Sequence, residues 1–177
     1  MTTIAPETIR QLVEEVVRQV VSAPVANDGI FGDVNDAVAA ADQAWRQYQM
    51  CSMRDRARFV QTIRDVALDE ANLEYMASAA VEETGMGRVA DKITKNRVAA
   101  ELTPGIEDLT TEAWSGDEGL TTVEISPFGV IGAITPTTNP TETIINNSIG
   151  MLAAGNAVVF SPHPRAARLS QWLIGKL

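Results

Sequence analysis

The chain reads as α/β: a series of helices followed by the start of a parallel sheet, incomplete at its C-terminal side. Three observations lead there. Residues 36–102 carry apolar side chains at helical spacing, interrupted by caps and glycines. After Gly119 the texture changes to short runs rich in Val, Ile and Thr. The apolar run Val130–Ile134, the helical segment Thr141–Ala154 and the apolar run Ala157–Phe160 then follow one another. That is a strand–helix–strand unit of about 30 residues, which implies parallel strands joined by a right-handed crossover.

Taken in order, the first segment is the most periodic. Ile9, Leu12, Val13, Val16, Val17, Val20 and Val21 recur at i, i+3, i+4 and i+7, with Arg10, Glu14, Glu15, Arg18 and Gln19 opposite. Residues 1–21 are thus an amphipathic helix, and Pro6 suits its first turn. Residues 22–29 are small, polar and broken by Pro24 and Gly29, which marks a linker. From Asp36 to Gln49 an Ala-rich stretch with Val38, Ala41, Trp45 and Tyr48 is helical. Ser52 and Asp55 have the spacing of a capping box opening a helix through Phe59, Val60, Ile63 and Val66. A further helix ends near Gly85, and Arg88–Leu102 forms another, broken by Thr103-Pro-Gly105. Leu120–Ile125 alternates as a half-exposed strand does, and a last helix begins in Arg165–Leu177. Two parallel strands alone leave open edges and uncovered helix faces, so residues 30–177 read as part of a longer domain.

Composition excludes several classes. Hydrophobic residues make up 45% of the 177 and charged residues 21%, enough apolar matter for a core. The net charge of −9, with no Lys/Arg cluster, argues against a nucleic-acid partner. No apolar run reaches the roughly 18 residues a membrane span needs. The single cysteine, Cys51, and single histidine, His163, give no metal-ligand spacing and no disulfide framework. Cys51, between two helices, reads as a buried structural thiol.

Chemistry-bearing residues gather behind the two buried runs. Ile134, Thr135, Pro136, Thr137, Thr138 and Asn139 end the first, with Pro140 fixing the turn. Ligands of open α/β sheets bind at the carboxyl ends of strands. An Asn amide held there can donate to an oxygen that gains charge during reaction. Equally, Asn139 can simply cap the helix that follows. Ser161, Pro162 and His163 end the second run; no carboxylate or nucleophile partner can be named for His163, so a structural or cofactor-contacting role fits it better than general base.

These segments carry a resemblance. Strand, Thr-Pro-x-x-Asn-Pro, helix and Ala153-Ala-Gly-Asn-x-Val158 resemble the aldehyde dehydrogenase superfamily. The finer pattern is Ile134-Thr-Pro-Thr-Thr-Asn-Pro-Thr-Glu142 with Ile145-Asn-Asn147 and Phe160-Ser-Pro-His-Pro164; it is similar to the CoA-acylating branch found in bacterial microcompartments. Glu83-Thr-Gly-Met-Gly87, Asp91-Lys-Ile-Thr-Lys-Asn96, Thr103–Thr110 and Gly29-Ile-Phe31 extend the likeness over essentially the whole chain.

The resemblance implies a Rossmann-like sheet, present here only in part, and NAD-dependent oxidation of a short-chain aldehyde, propanal or acetaldehyde. In that scheme a cysteine thiolate attacks the aldehyde, hydride passes to NAD, and coenzyme A takes the acyl group. Asn139 matches the family's oxyanion-hole asparagine. Ile134, Thr135, Pro136, Thr137, Ser161, Pro162 and His163 match segments lining the nucleotide site. Ser161 and Pro164 stand where hydrolytic members place a Lys and a Glu that grip the adenosine ribose, which implies a looser grip and early release of NADH. The family's catalytic cysteine lies in a C-terminal half with no counterpart here, so the 177 residues alone are expected to be inactive. Residues 7–21 resemble an encapsulation peptide, implying a microcompartment shell protein as partner and a place inside a microcompartment in the bacterial cytoplasm. A full-length enzyme is expected to be a homo-oligomer. The other reading is a non-catalytic module that binds shell protein or full-length relatives.

Overall fold

Caps and breakers set most element boundaries in this computed structural model, which describes residues 29–177; segment 7–21 and the linker up to Asp28 lie outside the described residues. Helix α1, Val34–Tyr48, starts where the Asp33 carboxylate accepts from Asn35 N at 2.7 Å. Helix α2, Met53–Leu68, opens on the capping box, with Asp55 N donating to Ser52 Oγ and Ser52 N to Asp55 Oδ2. Asp69 caps helix α3, Glu70–Thr84, which ends at Gly85. There φ is +70°, a left-handed conformation that glycine adopts without strain. Helix α4, Val89–Leu102, stops before Pro104.

Next comes an antiparallel hairpin, β1 (Glu112–Gly116) with β2 (Gly119–Val123). Sequence reading supplied the second strand but not its partner, and both strands are exposed on both faces instead of half-exposed. The missed signal is Asp117-Glu118 between two glycines, a two-residue hairpin loop. Strand β3, Val130–Thr135, then pairs in parallel with β4, Ala157–Pro162, through helix α5, Pro140–Ala153. Asn156 Oδ1 accepts from Phe128 N and Gly129 N, so the turn before β4 fixes the entry into β3. A 3₁₀ turn, Pro164–Ala166, leads into helix α6, Ala167–Ile174.

The core lies among the helices. Val60 and Ile63 of α2, Leu73 and Met76 of α3, Ile144, Ile145 and Ile149 of α5, and Leu169 and Leu173 of α6 form one buried cluster. Each such side chain contributes roughly 1.5–3 kcal/mol of hydrophobic stabilisation. Helix α5 is central to it, because it supplies Ile144, Ile145 and Ile149 and packs against α2, α3, α4 and α6. Helix α1 buries no residue fully and is held by polar tips instead. Trp45 Nε1 donates to Gly155 O at 3.1 Å and Tyr48 Oη to Leu152 O at 2.9 Å. The parallel pair ending in two polar loops is the framework on which the site residues stand.

Candidate functional site

Register brings the predicted site residues side by side. Ile134 pairs with Ser161 and Thr135 with Pro162, and His163 N continues the ladder to Thr135 O at 3.1 Å. Alternation then sorts them by face. Ala133 and Thr135 are buried, whereas Gly132 and Ile134 lie on the open face, Ile134 being 85% exposed. Ser161 is exposed beside Ile134. A Cβ added at Gly132 would meet nothing within 4 Å among the described residues. The open face at the strand ends can therefore admit a flat ligand. Thr137 is buried, Pro136 exposed, and the buried Thr135 hydroxyl has no partner among the described residues.

Asn139 is the N-cap residue of α5, yet its side chain makes no capping bond. Its Oδ1 instead accepts from Lys95 Nζ of α4 at 3.0 Å. Its amide hydrogens have no partner among the described residues. One turn earlier on α4, Lys92 is 2% exposed and donates to Thr138 O and to Glu142 Oε1, the latter at 3.4 Å. Glu142 is itself buried and accepts from Thr141 Oγ1 at 3.2 Å. A buried charge is tolerated only when paired and hydrogen-bonded, and this pair is both. Helix α4 is thus fastened to the Thr137–Glu142 turn by two lysines. Sequence reasoning missed both; the signal available was a Lys-x-x-Lys spacing on one helix face within Asp91–Asn96.

His163 has one structural partner. Its Nδ1 accepts from Arg165 N at 3.1 Å, capping the 3₁₀ turn. The loop is held from α3: Arg165 Nη2 donates to Thr84 O, and Glu83 accepts from Arg168 N and Leu169 N, each at 2.9 Å. Glu83 thereby caps α6, which has no side-chain cap of its own. Ser161 and Pro162 also border an apolar groove of about 600 Å³ between α1, β4 and α6, lined further by Phe31, Ala37, Ala41 and Ile174.

Cys51 stands apart and is half-buried, a correction to the expectation of a buried thiol. It follows α1 directly, and Tyr48 of that helix bonds Leu152 at the C-terminal end of α5. Asn139 sits at the other end of this 14-residue helix, about 20 Å away at 1.5 Å per residue. No geometry joins the two.

Three comparisons bear on this arrangement. A model described as the aldehyde dehydrogenase family matches residues 12–177. The propanal dehydrogenase (CoA-propanoylating) of Citrobacter freundii is 51% identical over 152 residues, covering 86% of this chain and 32% of its own length. The structure of Rhodopseudomonas palustris propionaldehyde dehydrogenase with bound propionyl-CoA is 65% identical and superposes with a TM-score of 0.84, over 88% of this chain and 34% of that one. A propionaldehyde dehydrogenase from the Clostridium phytofermentans fucose utilisation bacterial microcompartment is 53% identical with a TM-score of 0.80, over 84% of this chain and 34% of that one. The chain thus spans about a third of the length of the relatives it matches. With a family match over nearly all its residues, a shared fold and the strand–Asn-Pro–helix turn in place, the chain belongs to the aldehyde dehydrogenase family.

Proposed function

We propose that these residues form the N-terminal part of an NAD-dependent, CoA-acylating aldehyde dehydrogenase that converts propanal or acetaldehyde to its acyl-CoA. The observation that carries the reading is Asn139, held at the carboxyl end of β3 with its amide hydrogens free among the described residues. A donor so placed stabilises an oxygen that becomes anionic when a thiolate adds to an aldehyde. The likeness to a CoA-propanoylating enzyme and to a structure carrying propionyl-CoA supports the CoA-acylating chemistry, and favours an enzyme over a non-catalytic module.

The nucleotide, when bound, accepts the hydride, and coenzyme A accepts the acyl group. The open strand-end face of Ile134 and Ser161, with Thr135, Pro136, Thr137, Pro162 and His163 around it, fits one part of such a nucleotide. Nothing charged at Ser161 or Pro164 grips a ribose. The thiol comes from outside these residues in this reading, since Tyr48, three residues before Cys51, bonds the end of α5 opposite Asn139, about 20 Å of helix away.

We further infer that residues 1–21 form an encapsulation helix, 22–29 its tether and 30–177 the start of the nucleotide-binding domain. In this reading the enzyme works as a homo-oligomer inside a bacterial microcompartment, with residues 7–21 seated in a shell-protein groove. The microcompartment origin of one structural relative supports that placement.

The test is a chimera joining residues 1–177 to the remaining two thirds of the Rhodopseudomonas palustris propionaldehyde dehydrogenase. Offered propanal, coenzyme A and either NAD or NADP, it should reduce nucleotide, NAD preferentially. Asn139→Ala should lower kcat by about 10²–10³, or about 2.7–4 kcal/mol, with NAD affinity nearly unchanged. A loss smaller than about fivefold would make Asn139 a structural turn residue and defeat the oxyanion assignment.

A further inference from the structure

We propose that Lys95 is a positioning residue that fixes which end of the Asn139 amide faces the reacting oxygen and strengthens that amide as a donor; the inference rests on the oxyanion reading above.

A carboxamide can rotate by half a turn and exchange its acceptor for its donor end at little steric cost. At a helix N-cap the usual outcome is that the oxygen turns onto the amides of the first helical turn. Asn139 occupies that position and does not do so. Its oxygen lies 3.0 Å from the Lys95 ammonium. An ammonium has three donors and no acceptor, so it can meet only the oxygen end. While that bond holds, the flipped amide would set N–H against N–H and is disfavoured. The NH₂ group is therefore turned away from α4.

A second effect follows from charge. The bond is charge-assisted, and such bonds are shorter and stronger than neutral ones. Electron density drawn toward the amide oxygen leaves the nitrogen more positive, so its hydrogens bind an oxyanion more tightly. The positive charge also favours a nearby negative oxygen, in a chain whose net charge is −9.

The helix that carries the exposed Lys95 is itself held in place. Lys92, three residues earlier on the same face of α4, is buried and bonded to Thr138 O and Glu142. Asn96, fully buried, donates its amide to Lys92 O. This pins α4 in register against the turn. Lys92 fixes the turn's backbone, while Lys95 sets the side chain that follows it.

A double-mutant cycle in the chimera tests the inference, reading kcat, the KM for NAD and the melting temperature. Lys95→Met should lower kcat about tenfold with the KM for NAD unchanged, and Lys95→Arg should restore most of the loss. Lys95→Glu supplies an acceptor that turns the amide around, and should lower kcat as far as Asn139→Ala does, about a hundredfold or more. In the Asn139→Ala background none of these changes should cost anything further. Multiplicative losses in that background would overturn the proposal, and so would an unchanged kcat in Lys95→Met while Asn139→Ala is crippled. An Asn139→Ala enzyme of nearly full activity would instead overturn the oxyanion reading, and the role of Lys95 with it.

Discussion

Glu107 shows how much one side chain can organise. Its Oε1 accepts from Arg64 Nη2 of α2 and from Gly105 N, each at 2.9 Å, while Arg64 also donates to Thr103 O at 3.0 Å. The end of α4 is thereby tied back to α2. Its own backbone amide, then the Arg64 guanidinium, then the Gly105 N–H hold the Glu107 carboxyl down at about 2, from an ordinary 4.5. A depressed folded-state value contributes stability that is present above the unfolded value and is lost as pH falls toward the folded one. Asp55, held low by Ser52, acts in the same direction. Stability should therefore fall with acid between about pH 4.5 and 2, and less steeply in Glu107→Gln; urea midpoints measured across that range would show it. Parallel acid limbs in the two proteins would refute the assignment. The effect is modest, because Glu107 is half exposed and its ion pair is screened by water.

At the scale of elements, polar side chains rather than apolar area fix how several helices meet. Glu83 at the end of α3 caps α6, and Arg165 returns the favour at the carbonyl of Thr84. The loop carrying His163 is held between them. The hairpin β1–β2 is different: it exposes Trp114 and Leu120 and buries neither face among the described residues. The sequence Ile9–Val21 spaces seven apolar residues at helical intervals. Seating them in a partner groove gains about 1.5 kcal/mol or more each before ordering costs. Residues 1–21 should therefore carry a fluorescent cargo to a compartment shell. Placing Glu at both Leu12 and Val16 should abolish co-localisation without lowering the melting temperature of the chimera. A lowered melting temperature with targeting intact would show that the segment packs on its own domain.

For the whole molecule, α5 divides the structure into two ends. The core formed with α2, α3 and α6 spans its length, the half-buried thiol lies toward its C-terminus, and Asn139 with its two lysines lies at its N-terminus. A nucleophile acting with Asn139 must approach within bonding distance of the same substrate carbon, whereas Cys51 follows the helix whose Tyr48 bonds the opposite end of α5, about 20 Å of helix from Asn139. The 177-residue chain should consequently produce no NADH from propanal, NAD and coenzyme A. In the active chimera, Cys51→Ala should leave turnover unchanged. Activity of the short chain that disappears with Cys51→Ala would reverse both statements.

What the sequence determined by itself is local in origin. The capping box at Ser52, the left-handed glycine at Gly85 and the helix break before Pro104 are each written within a few residues, and the parallel unit from β3 to β4 within about 30. The candidate site was legible to the same extent, because Asn139, Ser161 and His163 follow strands whose apolar runs are unmistakable. Tertiary structure decided the rest. Only packing of α4 against the turn pairs Lys95 with Asn139 and buries Lys92 on Glu142, contacts 44 and 50 residues apart. Only the clasp between α3 and α6 commits Glu83, 85 residues from its partner amide. No periodicity encodes such pairs, since an isolated lysine on a helix face looks the same whether it meets water or a carboxamide. Whether the Asn139 amide caps its own helix or turns outward depends on an ammonium from another element, which sequence spacing does not display.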